Sequence, residues 1–424
     1  MSVIKFPWLF RLGLLLMLLW SACSPKYSEQ VIFPLQMRDI TLNDGSSSWR
    51  NECCTDPMSY IPDPQYPVHT QMHRIRVNFH FMHDEAGKYN IPEAKAEKFA
   101  MSLFWACNER LADMQAPYLP PGNDMGKTPT FYRLVLTGNG GSGDKGIYHH
   151  YDDSLYYYVA YGRNRNNYER DVIDKYGIGT DTVLNVFIMP HHPDSIASPT
   201  YKNTRVGITL GRHVKIAGVL SPDDEGWQYQ ALTNHEIGHV LGLQHTWSYN
   251  DGCDDTPRHP NCWNRDSGGG CDTMASNNLM DYNAWQNALS PCQVGLVHRN
   301  LAREHMAIRK LLIPEWCVRD TAKTIYIRDS VNWKGSKDLQ GDIVIEEGGR
   351  LRIRCRVSMP AGSSIRVQPG GKLYLDKARI HNSCGGQWLG IIAEKLGKKE
   401  GQVFKLGEVK IEDATGDLNS LPNP

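Results

Sequence analysis

The chain has 424 residues, 46 basic and 46 acidic side chains, and no formal net charge. Its 41% hydrophobic and 22% charged residues suit a globular protein of roughly two to three domains, and exclude disorder as the main state as well as collagen-like or coiled-coil structure. The charge balance argues against a general nucleic-acid binder, and no apolar run reaches the ~18 residues of a membrane span.

Lys5 and Arg11 precede a short apolar run, 12–20, followed by Ser21, Ala22 and Cys23. A basic start, a short apolar core and small residues before a cleavage point predict a secretory signal over 1–22. The small pair followed by cysteine resembles the lipobox of bacterial lipoproteins, with Trp20 standing where an aliphatic residue is usual. The resemblance implies a lipid on Cys23, a membrane anchor, and a place in the bacterial cell envelope, at the outer membrane or cell surface. Loss of 1–22 leaves 44 basic and 46 acidic side chains. Ten cysteines follow Cys23, an even number that suits an oxidising compartment.

Residues 23–72 are rich in Pro, Ser, Asp and Asn and contain the pair Cys53–Cys54. They read as an anchor linker and a candidate pro-segment. Ile75, Val77, Phe79 and Phe81 alternate as one face of a strand. Pro92 stands at the first position of a helix over 93–114. The run 130–136 reads as a second strand, 164–175 as a helical stretch, and 183–189 as an apolar strand buried on both faces. Gln228 to Leu243 is the clearest helix. Residues 246–293 are rich in Gly, Asp, Asn and Pro and hold four cysteines. A loop of that length is functional or stapled. Helical spacing returns over 294–313. This order gives an α/β (α+β) domain over 73–317.

From 318 the texture changes. Gly348-Gly349-Arg350-Leu351-Arg352-Ile353 recurs as Gly370-Gly371-Lys372-Leu373-Tyr374-Leu375, and Ile343-Val344-Ile345 recurs as Ile365-Arg366-Val367, each at an offset of 22. Short strands at a fixed period predict a small all-β domain over 318–424, a β-solenoid, with a β-sandwich as the alternative. It carries 18 basic and 13 acidic side chains, whereas 23–317 carries 26 and 33. A surface glycan or a protein is the expected partner of this domain.

The informative stretch is His235-Glu236-Ile237-Gly238-His239-Val240-Leu241-Gly242-Leu243-Gln244-His245. His235 and His239 are four apart on a helix, so both imidazoles leave one face and can grip one Zn²⁺. Glu236 beside them can reach a water at the metal. Gly242 can end the helix in a left-handed conformation, which returns His245 as a third ligand. Three protein ligands leave a position open, as in catalytic zinc sites.

These residues resemble the metzincin motif H-E-x-x-H-x-x-G-x-x-H. That clan has a methionine turn under the metal. Met274 and Met280 are the candidates, and Asn278-Leu279-Met280-Asp281-Tyr282 looks like the N-x-M-D-Y turn of the pappalysin-like branch, which selects Met280. Asp255-Thr256-Pro257, the cysteine-rich tract and Cys292-Gln293 are similar to that branch too. The resemblance covers about 75–313. It implies a metzincin-type fold and a zinc endopeptidase acting on extracellular proteins or peptides, with Glu236 as general base. Tyr282 would ligate zinc or donate to the oxyanion, or else be structural. The rival from another class is a surface-binding protein on a degenerate protease scaffold, which the complete set of ligands and base disfavours.

Asp251, Asp254 and Asp255 with Thr256 make a candidate calcium loop, which the resemblance also implies; an Asp-rich turn is the alternative. Cys253, Cys262, Cys271 and Cys292 are spaced by 9, 9 and 21, unlike common zinc knuckles, and predict disulfides. Sequence alone allows three pairings. The resemblance implies Cys253 with Cys271 and Cys262 with Cys292. Cys355 and Cys384 could pair within the repeats. Cys53 or Cys54 could block the open zinc position as a latency switch, or pair ordinarily, with Cys107 an available partner.

Overall fold

The computed structural model describes residues 26–40, 52–118, 125–138, 143–162, 164–201, 205–218, 220, 223–248, 250–256, 258–259, 262, 276–283 and 285–416. The signal segment 1–22, Cys23, Cys271 and Met274 lie outside the described residues, as does the Cys53 side chain. Among the described residues no helix is long and apolar enough to cross a membrane.

The first strands, β1 (Tyr27–Ile32) and β2 (Arg38–Asp39), find their partners near the far end of the chain. The α/β unit is built on β3 (His73–His83). Around it stand β4 (Tyr132–Leu136), β5 (Ile147–Tyr151), β6 (Leu184–Pro190), β7 (Val206–Leu210) and β8 (His213–Gly218). The order is β4-β3-β6-β8-β7, with β5 following β4 along the same edge of β3. All pairs are parallel except β7 with β8.

Period-two alternation gives β3 one wholly apolar face. Ile75, Val77, Phe79 and Phe81 face a helix, α1 (Glu93–Ala112), and join the main core with its Phe99, Leu103 and Cys107. Met82 joins a second core with Phe187 and Met189 on the opposite face. Every residue of β6 is therefore buried, as a central parallel strand requires. Pro92 caps α1 rather than opening it, because its extended backbone places it just outside the helix. The stretch 164–175 is helical only over Asp171–Tyr176. β7 and β8 form a hairpin absent from the expectations above. Its signal was a Gly-Arg pair between two β-branched runs, with Gly211 at φ +67° supplying the tight turn.

Two helices complete this unit, α2 (Gln230–Val240) and α3 (Pro291–Ala302). Helical spacing beyond Ala302 becomes a separate 3₁₀ turn at Ala307–Leu311.

From Ile325 the chain lays down strands in sets. The first set is β9 (Ile325–Ile327), β10 (Ser330–Trp333) and β11 (Lys337–Asp338). The second is β12 (Ile343–Ile345), β13 (Arg350–Ile353) and β14 (Arg356–Ser358). The third is β15 (Ser364–Val367), β16 (Lys372–Asp376) and β17 (Arg379–His381). The last is β18 (Gly390–Leu396), β19 (Lys399–Glu400), β20 (Gln402–Leu406) and β21 (Lys410–Ile411). Apart from β19, which folds back antiparallel on β18, corresponding strands pair in parallel. Ile325, Ile343, Ile365 and Ile391 stand in one register, and so do Val331, Leu351, Leu373 and Val403. These inward residues form one buried core. The offset read from the sequence is thus the register offset between β12 and β15.

The described parts of the N-terminal segment, 26–40 and 52–72, pack on the rest of the chain. β1 pairs antiparallel with β18, and β2 pairs in parallel with β20. Residues 52–71 then run between α3 and the first strand set. A Cβ on Gly295 would lie 2.2 Å from the Pro57 carbonyl oxygen, so α3 approaches this segment backbone to backbone. Tyr60 Oη donates to Cys54 O at 2.9 Å, and Cys54 is disulfide-bonded to Cys355. Cys317 pairs with Cys384, so Cys355 and Cys384 do not pair with each other. Packing brings Cα atoms of distant segments to 5.9 and 5.5 Å, which sequence proximity could not indicate. Cys107 is a buried free thiol.

Candidate metal centre

Helix α2 carries His235, Glu236, Ile237, Gly238 and His239 within its buried stretch. Ile237 lies in the main core on the helix face turned away from both histidines. The helix stops at Gly242, whose φ is +94°. A Cβ there would stand 2.4 Å from Asn300 Nδ2, which donates to Leu241 O at 3.0 Å, so both the turn and the close approach require glycine.

The turn returns His245 to the helix face. The three Nε2 atoms lie 3.2 Å (His235–His239), 3.2 Å (His235–His245) and 3.0 Å (His239–His245) apart. His235 Nδ1 faces Leu279 O at 2.7 Å, and His239 Nδ1 faces Leu243 O at 2.9 Å. A carbonyl can only accept, so each Nδ1 carries the proton and each Nε2 lone pair points inward. Converging lone pairs repel unless a cation sits among them. Three tetrahedral nitrogens about 2.0–2.1 Å from Zn²⁺ would be about 3.3 Å apart, so the donor set fits that ion. Burial pushes His235 down to about 4 and His245 down to about 3, each helped by its histidine neighbours, and lowers His239 too. Neutral imidazoles are the form that ligates.

Glu236 is 6% exposed, and desolvation pushes its carboxyl up to about 7. Thr209 on β7 opposes the shift by donating to Oε2 at 2.8 Å. The same hydroxyl lies 2.7 Å from Glu236 O. Among the described residues β7 is an edge strand, with β8 on one side only. Thr209 carried no recognisable signal in the sequence.

Met280 is fully buried against the helix backbone: a Cβ on Gly238 would be 2.6 Å from its sulfur. Tyr282 is half exposed. Its ring lies 5.7 Å from that of His235, 5.2 Å from His245 and 4.6 Å from Trp247, which itself stacks on His245 at 4.1 Å. Burial, then the Glu236 charge, raises the Tyr282 phenol.

Sequence reasoning missed the residue between them. Asp281 is fully buried, and Ser276 Oγ donates to its Oδ2 at 2.6 Å. Oδ1 meets His259 Nε2 at 3.0 Å and accepts from Thr246 Oγ1. Thr246 immediately follows His245, so Asp281 ties the third histidine and its loop to the methionine turn. A carboxylate inside an apolar turn was the available signal. Gln286 was missed as well; its Nε2 donates to Asp281 O at 2.6 Å.

The acidic loop does other work than the calcium reading assigned. Asp251 accepts from Cys253 N at 3.0 Å and from Thr256 Oγ1, which closes a turn. Asp255 accepts from Ser290 Oγ at 2.7 Å and Cys292 N at 2.9 Å, and so caps α3 at its positive end. Among the described residues the three carboxylates Asp251, Asp254 and Asp255 do not lie together within ligand reach of one another. Cys253, Asp255 and Cys292 do lie within ligand reach of one another, but the two sulfurs are bonded together. That bond also corrects the implied pairing: Cys253 joins Cys292, 5.6 Å away between Cα atoms, and not Cys271. Cys262 is disulfide-bonded, but not to Cys292.

No family model matches the chain, and no curated protein does. Among solved structures it is similar to mature mirolysin of Tannerella forsythia in complex with a cleaved peptide, at 20% identity and TM-score 0.39, over 57% of this chain and 96% of that one. It is similar to mirolysin in complex with a compound at 17% identity and TM-score 0.41, over 57% and 97%.

Proposed function

We propose that the chain is a zinc-dependent endopeptidase of the metzincin type, in the pappalysin-like branch that its motifs resemble. The observation that carries this reading is the convergence of three neutral histidines beside a buried glutamate at an open strand edge. His235, His239 and His245 would hold the ion, which supplies Lewis acidity to a scissile carbonyl and to a water. Glu236, poised near neutrality, takes a proton from that water and returns it to the leaving amine. Thr209 holds Oε2 and leaves Oε1 to face the water. The free edge of β7 offers main-chain N–H and C=O groups to an extended peptide, which would add as a strand and bring its bond to Glu236. Tyr282 closes the opposite side with Trp247 and is the candidate donor to the developing oxyanion.

The same reading extends to the rest of the molecule. The parallel in-register sets from β9 to β21 support a β-solenoid, capped by β1 and β2, as an all-β domain separate from the catalytic one. Cys23 would be lipidated after loss of 1–22, and the strand β1 begins only a few residues later, so the anchor would enter at the β18 end of the solenoid. The protein would then act on proteins or peptides outside the cell membrane, at the envelope. A glycan or protein ligand of the solenoid is part of the proposal; calcium is not.

The test is peptide cleavage by the full chain with and without chelator, beside Glu236→Ala and His239→Ala. Chelation and both substitutions should abolish cleavage. Glu236→Ala should keep bound zinc and His239→Ala should lose it. Cleavage that persists in Glu236→Ala would sink the mechanism.

A further inference from the structure

We propose that the junction between the α/β unit and the C-terminal strands binds a small monovalent anion of chloride size, held by Lys337 and His73. This inference does not depend on the metal centre. A cavity of about 50 Å³ lies there, lined by Ser59, Gln71, His73, His298, Ser336 and Lys337 among others. Its donors are unevenly matched. Lys337 Nζ gives one hydrogen bond, to His69 O at 2.8 Å, lies 5.4 Å from the centre of the Trp333 ring, and keeps donor capacity for the cavity. His73 is 8% exposed, and its Nδ1 has no partner. Gln71 Oε1 is also buried without a partner, and half a turn of its amide would present N–H groups instead.

Charge decides what fills the space. The acid beside Lys337 in sequence, Asp338, is fully engaged: Arg309 donates to its Oδ2 at 2.7 Å and Arg356 to its Oδ1 at 2.6 Å. Glu304 lies on the far side of Arg356, at 3.9 Å, and is shared with Arg379. Asp63, the acid that does act on Lys337, is exposed and makes no ion pair with it. Among the described residues Lys337 has no ion-pair partner. Without one, burial pushes its ammonium down to about 8, so it is still charged at neutral pH. Water would satisfy the free N–H groups but supply no counter-charge, and an uncompensated charge at a buried junction is costly. A metal ion is excluded by the ammonium. The cavity has room for a halide-sized ion with water beside it.

Crystals of the full chain grown or soaked in bromide should show an anomalous peak in contact with Lys337 Nζ and His73 Nδ1. Thermal unfolding in chloride should exceed that in gluconate of equal ionic strength by about 2–4 °C and saturate with concentration. Lys337→Met should abolish that difference. An anomalous map without a peak in this cavity overturns the proposal, and so does a halide effect that survives in Lys337→Met. If Lys337→Met does not fold, the wild-type anomalous map decides alone.

Discussion

Gly207 and Glu236 touch so closely that no side chain fits between them. A Cβ on Gly207 would lie 2.7 Å from Glu236 Cγ and 2.9 Å from Oε1. The edge strand β7 therefore supplies two restraints on one carboxylate, a bare backbone at 207 and the Thr209 hydroxyl at 2.8 Å. Glu236 is thus held by the strand that, in the proposed mechanism, would also receive the peptide.

Gly207→Ala should accordingly displace Glu236. We expect kcat/KM to fall about 10- to 100-fold, since small misplacements of a catalytic group cost that much. Zinc content should be unchanged, because the atoms nearest a Cβ at position 207 belong to Glu236 and Leu232 and not to a histidine. Steady-state kinetics with metal analysis checks this. An alanine variant with wild-type kcat/KM would show that the carboxylate can shift without consequence.

Asp281→Ala should weaken both the fold and the metal site. It leaves Thr246, Ser276 and His259 without their common partner in a buried place. The expected loss is about 2–4 kcal/mol in urea unfolding of the metal-free chain. Zinc affinity should fall as well, because Thr246 fixes the loop that carries His245. Unchanged affinity in a destabilised variant would confine Asp281 to a structural role.

The segment 26–72 should prove to be a brace rather than a removable pro-segment. A form starting near His73 loses β1, β2 and the Cys54–Cys355 bond, and exposes the edges of β18 and β20. Bare strand edges promote aggregation. The truncated form should be less soluble and no more active than the full chain. Cys54→Ser alone should cost about 2–5 kcal/mol. Activation on truncation would support the latency reading, for which Cys54, bonded to Cys355, is no longer a candidate.

The cluster of three histidines was legible because its determinants are local. His235, His239, Gly242 and His245 fall within about three helical turns, where spacing maps directly onto direction in space. The repeats of β12 with β15 and β13 with β16 were legible for the same reason: a period in sequence became a register in space. What escaped were pairings between distant segments. Nothing near Tyr27 announces that it will lie opposite Leu396, and nothing near Cys253 distinguishes Cys271 from Cys292. Thr209 and Asp281 escaped because their roles exist only once β7 and the methionine turn have been brought to α2.

Stability should fall in mild acid through histidines remote from the metal. Burial pushes His80 down to about 3, His298 down to about 3 and His73 down to about 4. His80 faces His150 at 3.0 Å, Asn185 at 2.7 Å and the ring of Phe187; His298 faces the carbonyl of Thr130 at 2.7 Å and the ring of His73. None of these neighbours is an acid that would welcome a proton. In the unfolded chain each histidine titrates near 6.5. Between pH 6.5 and about 4 the unfolded state therefore binds more protons than the folded state. The free energy of unfolding rises with pH through that window and is flat above it as far as these groups are concerned. Each histidine removes up to about 1.4 kcal/mol at pH 5.5 relative to pH 7.5. Urea unfolding of the metal-free chain at the two pH values, in a halide-free buffer, measures the sum. His298→Gln keeps a donor for Thr130 O and deletes one titrating group, so it should reduce the difference by that group's share, about 1.4 kcal/mol. Equal stability at pH 7.5 and 5.5, or a His298→Gln variant with an unaltered difference, would show that these rings can take up protons without unfolding.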